Sequence, residues 1–92
     1  MSHKPLTAAP ELLPASIALN LTVNRLTSAP LSYREKLQLV LDARRYLAAL
    51  PLPADRFARG ICNLVNAESY LRRGETGAAK FELRQLLSAA AV

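Results

Sequence analysis

The sequence predicts an all-α chain, a small bundle of four helices, and three observations carry that prediction. Hydrophobic residues make up 51% of the 92 residues while aromatics make up only 5%, so the apolar mass is leucine and alanine. Such a composition suits helices packed through aliphatic ridges. Three long stretches repeat their apolar residues at helical spacing, each bounded by start and stop signals. Only one segment alternates like a strand, and the chain offers it no second strand as a partner. A chain of this length makes one domain, with no room for two cores.

Taken in order, residues 1–14, "MSHKPLTAAPELLP", carry Pro5, Pro10 and Pro14. Proline lacks an N–H and restrains its predecessor, so this segment is expected to be a flexible arm, with Leu12 and Leu13 tacking its end to the core. Residues 15–92 are expected to form a single helical domain. Its first part, "SIALNLTVNRL", fits two periods. As a strand, Ile17, Leu19, Leu21 and Val23 share one face. As a helix, Leu12, Ala15, Leu19, Val23 and Leu26 line one side, and Ile17 and Leu21 fall on the other. Pro14 suits a helix start and Pro30 a helix stop, and these favour the helix.

The second helix has a clear beginning. Ser32 stands three residues before Glu35, the spacing of a capping box. Leu37, Val40, Leu41, Ala43, Leu47 and Leu50 follow at helical spacing, Leu39 and Tyr46 widen the apolar surface, and Pro51 and Pro53 end it. Pro53 and Asp55 then open a third helix over about 54–73. Phe57, Ile61, Leu64, Val65 and Leu71 are expected to make its buried stripe, with Gly74 as a left-handed stop. A fourth helix is predicted over about 77–90, with Thr76 as its cap and Ala79, Leu83, Leu86, Leu87 and Ala90 aligned.

About three residues join the last two helices, which makes them an antiparallel hairpin. In "AESYLRRGETGAAKFELRQLL", Ala67, Tyr70, Gly74, Ala79, Leu83 and Leu87 fall where a tetratricopeptide repeat places its small, aromatic, turn and large apolar residues. The hairpin therefore resembles one tetratricopeptide unit over residues 60–88, and the predicted bundle ends in a tetratricopeptide-like pair. Asn63, Asn66 and Leu86 depart from that pattern, and no second copy lies upstream. The resemblance implies protein or peptide binding.

The charge balance is twelve Lys and Arg against seven Asp and Glu, a net charge of +5. The charges are dispersed, with no basic run longer than two, which reads as a solvated surface. Arginine outnumbers lysine, and with the abundant Ala, Leu and Pro this is the composition of a GC-rich bacterial genome or of its phages and plasmids. One cysteine permits no intramolecular disulfide, and a reducing cytoplasm is the expected compartment. No apolar run reaches the length of a membrane span.

Catalytic chemistry has little to work with. His3 is the only imidazole and falls in the arm. Cys62 has no histidine placed as its base and is expected to be a small core residue. One His and one Cys do not make a zinc site, and Gly60, Gly74 and Gly77 make no phosphate loop. The sequence therefore predicts no enzyme, no metal and no cofactor. It predicts a non-enzymatic interaction module, a small regulator, adaptor or inhibitor that binds a protein partner through an apolar helical face. Ile17, Leu21, Tyr33, Tyr46, Tyr70 and Phe81 are the candidate anchors, because large side chains with few rotors dominate binding energy. Phe81 lies about 160° from Leu83 and Ala79 at 100° per residue, and so is expected to be exposed. A homodimer would cover Ile17 and Leu21. The alternative is nucleic acid: a strand followed by helices is similar to the ribbon-helix-helix repressors. That resemblance implies a dimer strand over residues 17–25, with Asn20, Thr22 and Asn24 towards the bases and Arg25 towards a phosphate.

Overall fold

The computed structural model describes residues 14–28 and 30–91, and the expected arm lies outside them except for Pro14. Four α-helices make up the fold: α1 (Ala15–Ser28), α2 (Tyr33–Ala48), α3 (Ala54–Arg72) and α4 (Thr76–Ala90). No strand occurs among the described residues.

The ambiguous segment is thus a helix, and its polar residues show how. Asn20 donates its amide to the Ser16 carbonyl at 3.0 Å, Thr22 its hydroxyl to Ala18 at 2.8 Å, and Thr27 its hydroxyl to Val23 at 3.0 Å. Asn20 and Thr22, which would alternate with the apolar residues of a strand, and Thr27 beyond them each bond back one helical turn. Ala18, Leu19, Val23 and Leu26 are buried, and Ile17 and Leu21 are half-exposed on the opposite side. The alternative reading of residues 17–25 as a ribbon strand is therefore corrected. Without a strand there is no two-stranded ribbon to present Asn20, Thr22 and Asn24.

The capping box of α2 forms as the spacing predicts. The Glu35 N–H donates to Ser32 Oγ at 3.2 Å, and the Ser32 N–H donates to the Glu35 carboxylate at 2.9 Å. That backbone N–H is the main reason the Glu35 carboxyl titrates below its ordinary 4.5, followed by the Ser32 hydroxyl and the field of Arg25. Ser32→Ala is expected to lower stability by about 1 kcal/mol in urea unfolding at neutral pH. Folding lowers the Glu35 pKa, so its contribution is full above 4.5 and fades as pH falls through the lower folded value. Glu35→Gln should therefore flatten the stability profile on the acid side, and an unchanged profile would show the carboxylate idle.

The helices run up and down in turn. Arg56, in the first turn of α3, donates Nε to the carbonyl of Ala89 at the end of α4, at 3.0 Å. Tyr33, opening α2, lies beside Arg72, which closes α3. The α3–α4 contact is the most extensive and the α1–α4 contact the slightest of the four neighbouring pairs. Leu19, Leu47, Leu83 and Leu86 fill the centre. Gly60 is buried among them: a Cβ there would lie 2.9 Å from Leu47 Cδ2 and 3.2 Å from Leu86 Cδ1. The glycine lets leucines of α2 and α4 close against the backbone of α3.

The α3–α4 turn follows its sequence signal, with Gly74 at φ 76° and the Glu75 N–H donating to the Tyr70 carbonyl at 2.8 Å. Thr76 is not the cap of α4. It is the first helical residue, Glu75 takes the cap position, and no side chain bonds the first-turn N–H groups. Asn63 and Asn66, where the repeat pattern has large apolar residues, instead tie the helices together. Both donate amides to Glu82 Oε1, at 3.0 and 3.4 Å, and the buried Asn63 Oδ1 has no partner.

Candidate functional site

Each helix has one meridian turned to the centre, and side chains about half a turn away are left outside. On α2 that meridian is Leu39, Val40, Ala43 and Leu47. Leu41 lies about 160° from Ala43 at 100° per residue, and is 58% exposed. On α3 the meridian is Gly60, Leu64, Ala67 and Leu71. Val65, expected in the stripe, is 57% exposed, and Cys62, expected in the core, is exposed as well. Phe57 and Ile61 are half-buried against the core.

These misplaced side chains come together. Leu41 and Val65 line one shallow groove of about 40 Å³ between α2 and α3, with Val40, Ile61 and Leu64 beneath and Arg44 and Glu68 beside them. Leu37 extends it along α2. Because the helices are antiparallel, Arg44 lies one turn beyond Leu41 and Glu68 one turn beyond Val65, at opposite ends. Glu68 also accepts from Arg72 Nη2 at 2.8 Å. The Arg72 guanidinium is held above its ordinary pKa by Tyr33 first and then by Glu68.

The six anchors expected from sequence do not form one patch. Leu21 and Tyr46 share a second cleft of about 230 Å³ between α1 and α2, with Arg25 and Asp42 beside them. Ile17 stands one turn before Leu21 and half-exposed. Tyr46 is half-buried, with the Arg45 guanidinium 5.3 Å from its ring centre. Tyr33 is exposed at the mouth of α2. Tyr70 is half-buried on α3 under Arg73, 5.1 Å from its ring centre. Phe81 is exposed, as its angle predicts, on α4, which lines neither cleft.

Among the described residues no three His, Cys, Asp or Glu side chains gather as a metal site. No described helix is long and apolar enough to cross a membrane. Compared with known proteins, the chain matches no family model, no curated sequence and no solved structure.

Proposed function

We propose that this protein is a non-enzymatic interaction module, a small regulator, adaptor or inhibitor that holds an amphipathic helix of a partner protein in the α2–α3 groove. The observation that carries this reading is the pair Leu41 and Val65, each more than half exposed in one apolar groove. A channel between two antiparallel helices accepts a third helix as a ridge between ridges, reading apolar side chains at i, i+3, i+4 and i+7. Arg44 and Glu68 at its two ends give the guest a preferred direction. Leu21 and Tyr46, in the neighbouring cleft, are the side chains that a self-association would use.

Affinity capture with the tagged chain from bacterial extract tests the reading. A protein that withstands nuclease and high salt should be retained by the wild type and by Phe81→Glu, and lost with Leu41→Glu. Leu41→Glu is expected to leave stability within about 0.5 kcal/mol, because the side chain it replaces is outside the core. A band kept by Leu41→Glu would place the partner elsewhere. Nucleic acid that leaves with salt would replace the protein reading, since phosphate contacts weaken steeply with ionic strength.

A further inference from the structure

A cavity of about 620 Å³ opens where the end of α1, the start of α2 and the start of α4 meet. Lys36 and Lys80 both line it, on α2 and α4, together with the hydroxyl residues Ser28 and Thr76 and an apolar wall of Leu26 and Leu31. Among the described residues no carboxylate lines this space.

The carboxylates next in sequence are occupied. Glu35 accepts the Ser32 N–H at 2.9 Å, and Glu75 meets Arg73 Nε at 3.1 Å. Neither lysine has a hydrogen-bond or ion-pair partner among the described residues. Two ammonium groups at one cavity repel each other without a counter-charge. The C-terminal pole of α1 supplies only about half an elementary charge, and Arg25 in its last turn already faces it. The positive pole of α4 adds to the lysines, since its first turn carries no side-chain cap. The surplus is positive, beside hydroxyls able to donate and an apolar wall.

We propose that this cavity binds a small phosphate-bearing molecule. Lys36 and Lys80 take the phosphate oxygens, Ser28 donates a hydroxyl hydrogen bond, Thr76 does so by turning its hydroxyl from the Gly74 carbonyl 3.5 Å away, and the organic part lies over Leu26 and Leu31. The volume exceeds that of a phosphate group and leaves space for such a body. This site lies at the mouth of the bundle and does not depend on the α2–α3 groove.

Titration of the isotopically labelled full chain with inorganic phosphate and with adenosine monophosphate, at constant ionic strength against chloride, tests the proposal. Saturable amide shifts are expected at Lys36 and over Thr76 to Lys80. Lys36→Gln and Lys80→Gln should each weaken binding about tenfold, the loss expected for one charge-assisted hydrogen bond. Arg59→Gln, on α3, should leave it unchanged. Tighter binding of the monophosphate would support an ester ligand, and equal affinity would overturn the role given to Leu26 and Leu31. Shifts no larger than those with chloride would overturn the proposal, as would lysine variants that bind like the wild type.

Discussion

Gly60→Val is expected to destabilise the protein by about 2–3 kcal/mol, a loss typical of an overpacked core. Leu47 and Leu86, the side chains that a Cβ would press on, are both fully buried. Their methyl groups have no solvent to swing into, so the added volume must move helices. Gly60→Ala separates the two effects of a substitution here. Alanine gains about 1 kcal/mol of helix propensity over glycine, and this offsets much of the strain from one methyl. Valine adds two more carbons at a β-branched position and gains less propensity. In thermal unfolding the valine variant should melt roughly 10–20 °C lower, at about 4–8 °C per kcal/mol for a domain of this size. A valine variant that melts like the wild type would show that the three helices do not approach as closely as described.

Leu86→Ala should cost more, about 3–4 kcal/mol, because it removes a fully buried side chain and leaves a void. Leu87, the next residue, is only half-buried at the edge of the core. Leu87→Ala is therefore expected to cost about 1 kcal/mol or less, nearer its transfer term alone. Urea unfolding of the two variants measures the contrast, and equal losses would mean that α4 is rotated from the orientation described. The largest effects are also coupled. Leu86 Cδ1 is one of the atoms facing Gly60, so Leu86→Ala frees part of the room that valine needs. The double variant should lose less than the sum of its single changes.

Much of this fold was legible in the sequence, and the reasons are local. Ser32 and Glu35 mark the start of α2 because a capping box is made by residues three apart. Gly74 marks the turn because only glycine takes a positive φ without strain. The seating of each helix was less legible, since that depends on two neighbours at once. Leu39, Val40 and Leu41 are consecutive, as are Leu64 and Val65, and their spacing alone does not say which of them point inward. α2 packs between α1 and α3, which draws its meridian to Leu39 and Val40 and leaves Leu41 outside. Such runs were the available signal for the groove: they hold more apolar side chains than one stripe can bury. For α1, alternation left a strand open because it ignores the carbonyls to which Asn20 and Thr22 bond, and the flanking prolines decided for the helix that forms. Of the anchors expected from sequence, Phe81 was placed outside by angle alone. Tyr46 and Tyr70 are half-buried instead, since a large ring can lie along a helix surface with a guanidinium stacked on it.

The tie between Asn63, Asn66 and Glu82 bears on how the hairpin chooses its alignment. Apart from Gly60, the facing ridges of α3 and α4 are built of alanine and leucine, which pack tolerably at several offsets. Sliding one helix by a turn, about 5.4 Å, would keep much of the aliphatic contact. It would also carry Glu82 away from both amides and leave Asn63 enclosed with neither of its polar atoms satisfied. An orphaned amide and a part-buried carboxylate are far more costly than the bonds they make are favourable. The three residues thus contribute little to the depth of the native state and much to its uniqueness. They penalise the near-miss registers that an all-aliphatic seam would permit, at positions where a more apolar choice would have bound the helices as firmly and less selectively.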